Sequence, residues 1–100
     1  MTITTLQQDG TVTFQLDGWL DTLAAPQLGE AVDGVESARA IVLDLDKVEY
    51  IASAGLRQVV ACHRRAKELG ATFSLINVGQ EAMSVFSLTG LNKKLDITAK

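Results

Sequence analysis

The feature that most constrains the fold of this chain is a strand-like segment followed by a helical pattern and a second strand-like segment. Residues 40–45 are apolar except for Asp44, and such a run is typical of a strand covered on both faces in an α/β sheet. Residues 53–69 have helical periodicity, with a natural stop at Gly70. Residues 72–78 then read as a strand. Because a helix crosses between the two strands, we expect them to be parallel.

Two short segments near the start of the chain alternate apolar and polar residues, which is typical of strands with one buried face. They cover residues 3–7 and 12–16, and Asp9 and Gly10 between them are a strong hairpin signal. We therefore predict an antiparallel pair whose second strand ends within residues 18–21.

Two further helices and a last strand are predicted around these segments. Asp21 or Thr22 is placed to cap the first helix, and Pro26 is tolerated in its first turn. A shorter helix follows over residues 80–88, and residues 95–98 offer a short final strand. The apolar stripe of the first helix comprises Leu23, Leu28, Ala31, Val32 and Val35.

The resulting order is β-β-α-β-α-β-α-β, with residues 46–49 as an exit loop and no repeat, linker or low-complexity stretch. We predict a single α/β domain over residues 1–100. Its mixed sheet has about five strands with an N-terminal antiparallel pair and packs with three to four helices. The hydrophobic fraction of 47% is ordinary for a globular domain and argues against disorder.

Charge and cysteine content limit the compartment and the partners. Cys62 is the single cysteine, so no intrachain disulfide forms, and a reducing, cytoplasmic location is expected. No signal peptide or membrane-spanning stretch is evident, so membrane insertion is not expected. The net charge of −3 argues against direct nucleic-acid binding. Partner proteins are therefore expected, with the chain itself a monomer or a weak dimer.

The usual constellations of enzyme sites are missing from the sequence. The side chains of Cys62 and His63 point about 100° apart on one helix, so they cannot both reach one metal ion, and no metal site is expected there. His63 lies roughly 15 Å along that helix from Ser53, too far to activate it, and is read as a packed, hydrogen-bonded histidine at the core edge. No glycine-rich phosphate loop occurs. Asp44 and Asp46 are read as a solvated strand exit. No catalytic residue, metal or cofactor is predicted, and the chain is not expected to be an enzyme.

Ser53 opens the long helix directly after the central strand, and two interpretations of it remain open. Serine is a favoured N-cap, worth about 1 kcal/mol, because its oxygen accepts a hydrogen bond from a free backbone N–H. A phosphoryl group there would also be tolerated by the fold, since it would face the positive end of the helix dipole. It would add about −1.5 to −2 charge to an exposed corner. Its neighbours Ala52, Ala54 and Gly55 are small, so a second protein could approach closely.

The segments 43–45 and 48–57 resemble the signature of STAS domains, the family of the anti-sigma factor antagonists. Residues 18–26 are similar to the family's segment between its second strand and first helix, and residues 88–91 to the end of its third helix. The resemblance covers essentially the whole chain. It implies binding to an anti-sigma factor that is also a serine kinase, release by phosphorylation at the position of Ser53, and restoration by a serine phosphatase.

The resemblance also suggests which residues meet the partner. Asp21 matches an acidic family position thought to help kinase recognition, although helix capping explains it equally well. Many members carry Asp where this chain has Ala52. Members also often carry Ser where this chain has Ala54, so here Ser53 is the only acceptor in the turn. The expected partner surface comprises Asp21, Thr22, Ala52, Ala54, Gly55, Arg57 and Met83.

A second function implied by the family is a binding module that works without phosphorylation, in a transporter or a stress-signalling assembly. The loss of the acidic neighbour at Ala52 keeps this alternative open. A third hypothesis, that the chain is an enzyme or a nucleotide-binding domain, is supported only by the α/β order of elements, which is found in proteins with many different activities.

Overall fold

The computed structural model describes all 100 residues, and its strands and helices follow the predicted order. The long helix, the shorter third helix and the strand between them begin at the predicted residues. The elements are β1 (Thr2–Gln8), β2 (Thr11–Leu20), α1 (Ala25–Asp33), β3 (Ala40–Ile51), α2 (Ser53–Glu68), β4 (Thr72–Val78), α3 (Gln80–Leu88), a 3₁₀ turn (Leu91–Lys93) and β5 (Asp96–Ala99).

The five strands form one sheet whose spatial order is the chain order, β1-β2-β3-β4-β5. β1 pairs with β2 in the antiparallel sense, and every later pair is parallel. From β2 to β5, each new parallel strand is added on the same side of the strand before it. Right-handed crossovers between these strands therefore place all three helices on the same face of the sheet. The predicted mixed sheet with an N-terminal antiparallel pair is confirmed.

The helices cover only one face of the sheet, which corrects the prediction that β3 is buried on both sides. Side chains alternate along the strand, so Ile41, Leu43 and Leu45 lie in the core while Val42 and Asp44 are only half-buried on the open face. The apolar run at 40–45 therefore reflects a central strand with a single covered face.

β3 is also longer than predicted, because it continues past residue 45 to Ile51. Residues 46–49 were expected to form an exit loop because they are mostly charged. They remain strand because β2 continues as far as Leu20 and supplies pairing partners through Ile51. β3 holds two extra residues relative to β2, one between the pairs Gln15–Asp44 and Asp17–Lys47 and one at Glu49.

Small residues on α2 let it pack closely over the sheet. Its fully buried positions are Gly55, Val59, Cys62 and Ala66, which lie on one side of the helix. Leu23, predicted to lie in the α1 stripe, is instead 86% exposed because α1 begins two residues later, at Ala25.

Candidate functional site: the Ser53 turn

The turn that carries Ser53 is fixed to the end of β2. Leu20 and Ile51 are paired as the last residues of their strands, and the Leu20 carbonyl accepts a hydrogen bond from the Ala52 N–H at 2.9 Å. A Cβ at Gly55 would collide with the Leu20 carbonyl oxygen and would lie 2.8 Å from the Leu20 Cγ atom. Only glycine lets the first turn of α2 approach β2 this closely. The position of Ser53 is therefore set by backbone contacts.

Ser53 is the first residue of α2 and does not cap it. The N-cap position belongs to Ala52, whose backbone is extended, and no side-chain hydrogen bond caps the helix. The capping role considered for Ser53 is therefore wrong. The first helical bond runs from the Leu56 N–H to the Ala52 carbonyl at 3.0 Å, so the N–H groups before it have no partner in the helix. The exposed Ser53 hydroxyl stands beside this positive helix end.

Asp21 and Thr22 lie in the turn that follows β2, next to the Ser53 turn. The Asp21 Oδ1 atom accepts hydrogen bonds from the backbone N–H groups of Leu23 at 3.1 Å and Ala24 at 2.9 Å. Asp21 therefore stabilises the turn that leads into α1. The prediction that Asp21 or Thr22 caps this helix is wrong, because the N-cap position belongs to Ala24 and no side chain caps it. Thr22 is exposed.

The prediction that Gly55 contacts the partner is wrong, because Gly55 is buried against Leu20. The remaining predicted contact residues divide into two groups. Ala54 is half-buried within the first turn of α2, and Arg57 is exposed four residues after Ser53, on the same side of the helix. Met83, on α3, is half-buried against the core and lines a different groove, together with Leu88 and Lys100. The structure therefore brings together the residues of the two turns and leaves Met83 apart from them.

Comparison with known proteins identifies this arrangement. The family profile described as "STAS domain" matches residues 2–100. The chain belongs to the STAS domain family. It is 30% identical over 95 residues to an anti-sigma-B factor antagonist of Bacillus subtilis, covering 94% of this chain and 87% of that protein. It is 27% identical to the anti-sigma-F factor antagonist RsfB of Mycobacterium tuberculosis, covering 93% of this chain and 77% of that protein.

A crystal structure of an anti-sigma factor antagonist from Mycobacterium paratuberculosis superimposes on this STAS domain with a TM-score of 0.88. The two sequences are 28% identical, and the match covers 99% of this chain and 86% of the other. The expected STAS fold is confirmed, and the named relatives in these comparisons are anti-sigma factor antagonists.

The cysteine and histidine of this STAS domain are held by packing. Burial raises the pKa of the Cys62 thiol to about 12, so it stays protonated and unreactive. His63 is half-buried and stacks on Phe73 with ring centroids 5.6 Å apart. Desolvation and the nearby Lys67 charge lower the pKa of His63. The structure records ring stacking in place of the hydrogen bond expected for this histidine.

No group of three or more histidine, cysteine or carboxylate side chains is placed to hold a metal ion. Asp44 accepts hydrogen bonds from the Asp46 N–H and the Asn77 side-chain amide, both at 3.0 Å. Asp46 forms an ion pair with Lys100 at 3.2 Å. The two carboxylates therefore stabilise the local strand structure. None of the helices has the length and apolar character that a membrane-spanning helix requires.

One feature near the site was missed in the sequence. The Trp19 and Tyr50 rings lie 5.5 Å apart at the ends of β2 and β3, and they are 56% and 52% exposed. The Trp19 indole N–H donates to the Glu49 carboxylate at 3.1 Å. Strand alternation gave the signal, because the neighbouring Leu20 and Ile51 point into the core and so direct these rings outward.

Proposed function

We propose that this STAS domain, comprising residues 1–100, is an anti-sigma factor antagonist that a kinase switches off by phosphorylating Ser53. In this proposal the domain binds an anti-sigma factor that is itself a serine kinase. The exposed Ser53 hydroxyl at the uncapped start of α2 is the observation that carries the proposal. The relatives named as anti-sigma factor antagonists support the general role.

The proposed reaction transfers the γ-phosphoryl group of ATP from the kinase to Ser53. A bond forms between phosphorus and the Ser53 oxygen, the bond to the ADP oxygen breaks, and the hydroxyl proton passes to a base on the kinase. The product is tolerated by the fold because the phosphate faces the unpaired N–H groups at the start of α2. A serine phosphatase then hydrolyses the ester with water, which returns the hydroxyl and inorganic phosphate.

Release of the partner follows from charge and shape. Ala52 and Ala54 beside Ser53 are small, so the kinase can bring its nucleotide close to the hydroxyl. After transfer, the phosphoserine faces the phosphates of ADP in the same cleft. Like charges in contact at an interface cost several kcal/mol, which favours dissociation.

The remaining parts of the proposal concern the setting of this switch. We place the domain in the cytoplasm, as a monomer or a weak dimer that carries no catalytic activity of its own. The contact surface includes Asp21, Thr22 and Arg57 beside the Ser53 turn, because all three lie next to that turn or on the same side of α2. Met83 belongs to the surface only if the partner also reaches the neighbouring groove on α3.

Phosphorylation with the cognate kinase tests the proposal. We expect incubation with the anti-sigma factor kinase from the same genome and ATP to add one phosphate, located on Ser53 by mass spectrometry. Ser53→Ala is the matched control and should remain unmodified while still binding the kinase. A phosphate on another residue, or none with a kinase that binds, contradicts the proposal. Equal kinase affinities for Ser53→Ala, Ser53→Asp and the parent chain would instead favour a binding module that works without phosphorylation.

A further inference from the structure

A groove opens beside the Ser53 turn because β3 extends further than its neighbour β4. Pairing between these strands ends at Asp44 and Ile76, whereas β3 continues to Ile51. The last residues of β3 therefore have no strand partner on the β4 side, and the start of α3 lies across the gap. The groove measures about 450 Å³ and is lined mainly by Val48, Glu49, Tyr50, Ile51, Glu81 and Ala82.

One aromatic ring, that of Tyr50, lines this groove, and the Trp19 ring on β2 holds it in place before any partner arrives. Tyr50 lines the groove, and Trp19 packs against it at 5.5 Å with the rings tilted by 57°. The bulge at Glu49 directs its carboxylate toward the Trp19 indole N–H, which fixes the indole orientation. Tryptophan and tyrosine dominate interface hot spots, and rings that are already fixed lose little entropy on binding.

The charge of the groove is negative. Glu49 and Glu81 both line it, Glu81 is exposed in the first turn of α3, and neither carboxylate forms an ion pair within the chain. A partner that lays an apolar side chain in the groove is favoured if it carries positive charge on either side. Complementary charge of this kind raises association rates and fixes the register of a complex.

We infer that this aromatic–acidic groove, defined by Glu49, Tyr50 and Glu81 with Trp19 packed behind Tyr50, binds a segment of the anti-sigma factor in which an apolar side chain is flanked by lysine or arginine. The inference rests on the proposed function for the identity of the partner. It adds a second contact region, which begins at Ile51, two residues before Ser53, and is not itself modified. The groove therefore supplies affinity that is common to both states of Ser53.

Calorimetric titration with the recombinant anti-sigma factor tests the apolar half of the inference. We expect Trp19→Ala and Tyr50→Ala each to weaken binding about tenfold or more, as for central aromatic hot spots. Leu6→Ala is the matched control, because Leu6 is also exposed on the sheet but lies about 20 Å away along the strands, and it should leave affinity unchanged. If circular dichroism shows that Trp19→Ala does not fold, Trp19→Phe, which keeps an aromatic ring, replaces it in the titration.

The acidic half is tested by charge removal. We expect Glu49→Gln and Glu81→Gln each to weaken binding about threefold at low salt and less at high salt, because screening shortens the reach of the charges. Glu36→Gln is the control, since Glu36 is exposed in the connection before β3. Equal effects of the Glu36 and Glu81 substitutions would overturn the assignment of a basic partner.

The outcomes separate the groove from the switch. Binding that the Trp19 and Tyr50 variants leave unchanged overturns the groove inference and leaves the proposed function intact. Failure of the parent chain to bind the anti-sigma factor contradicts the proposed function. The groove inference is then tested separately, by selecting peptides from a displayed library on the immobilised protein. Enriched apolar–basic peptides that fail to bind Trp19→Ala support the groove's chemistry. Enrichment of acidic peptides, or of no peptides, overturns the groove inference. The inference is also overturned if sedimentation shows that the chain is a dimer and that Trp19→Ala dissociates it.

Discussion

The Ser53 turn and the aromatic–acidic groove are neighbours at the carboxyl end of β3, yet they are built from opposite kinds of residue. Around Ser53 the side chains are small, and a backbone hydrogen bond from Ala52 to Leu20 fixes the turn. In and beside the groove the side chains are large or charged, and the ring of Tyr50 and the Trp19 ring that packs on it remain half-exposed. The turn lets a second protein come close to a hydroxyl, whereas the groove offers apolar area that a partner can cover.

In the proposed switch, this difference would let one small domain bind tightly and still be released by a single modification. A switch residue must be accessible and must change its charge without disturbing the fold. An anchor must supply constant affinity, which large preorganised rings do better than a small turn. With the two proposed functions on adjacent but separate residues, phosphorylation would change affinity while the anchor stayed the same.

The largest expected effect is at Gly55, whose substitution affects both regions. Gly55→Ala places a Cβ against the Leu20 carbonyl oxygen, so α2 must shift away from β2. We expect the free energy of unfolding, measured by urea denaturation, to fall by about 2–3 kcal/mol. Gly34→Ala is the control, because its Cβ would meet only ordinary contacts at 3.5 Å, and it should change stability by less than about 0.5 kcal/mol. Similar losses in the two variants would show that the close approach does not fix the turn.

A double-mutant cycle between Trp19 and Ser53 tests whether the anchor and the switch are separate. We expect Trp19→Ala to lower affinity for the anti-sigma factor by the same factor in the parent chain and in the Ser53→Asp variant. The free-energy effects of substitutions at residues without shared partners usually add to within about 0.5 kcal/mol. A larger coupling energy, measured by calorimetry on the four proteins, would mean that the two regions act as a single site.

Asp21 distinguishes a structural carboxylate from a recognition carboxylate. Asp21→Ala removes the oxygen that accepts from the Leu23 and Ala24 N–H groups, and we expect the unfolding free energy to fall by about 1 kcal/mol. Asp21→Asn keeps an accepting oxygen and should retain most of that stability. Slower phosphorylation of the stable Asp21→Asn protein, measured by phosphate incorporation, would assign the charge to kinase recognition. An unchanged rate would leave Asp21 with its structural role alone.

The smallest effect is expected at His63, outside both regions. Its pKa is lowered from 6.5 by desolvation and by Lys67, so the unfolded chain binds the proton more readily than the folded one. Stability contributed by neutral His63 is therefore present above the unfolded pKa and decreases as the pH falls through 6.5 toward the lower folded pKa. We expect urea denaturation to show a steeper loss below about pH 6.5 for the parent chain than for His63→Gln. Identical pH profiles would contradict this.

Much of the fold could be predicted from the sequence because periodicity reports directly on burial. The bounds of β4 and α3 follow from local pattern and from the flanking glycines. The continuation of β3 through residues 46–51 could not be read locally, since it depends on pairing with the far end of β2. The open face of the sheet was missed for a similar reason: the apolar run at 40–45 does not reveal on which side the crossover helices lie.

The place of Ser53 at the start of the long helix was predicted from the sequence, whereas its capping role was predicted wrongly. Local sequence places Ser53 at the start of α2, but the choice between N-cap and first helical residue depends on the extended backbone of Ala52. The aromatic–acidic groove depends on two strand ends and a helix that are distant in sequence. Trp19 and Tyr50 are 31 positions apart in the printed sequence, and only the paired ends of β2 and β3 bring their rings together.

The affinity of the anti-sigma factor for the phosphorylated and unphosphorylated chains tests the proposed switch most directly. The two forms are prepared with the kinase, separated by ion exchange, and titrated calorimetrically at the same salt concentration. We expect phosphorylation of Ser53 to weaken binding by about a hundredfold or more, because like charges in contact cost several kcal/mol. Equal affinities for the two forms would contradict the proposal that Ser53 controls the partner.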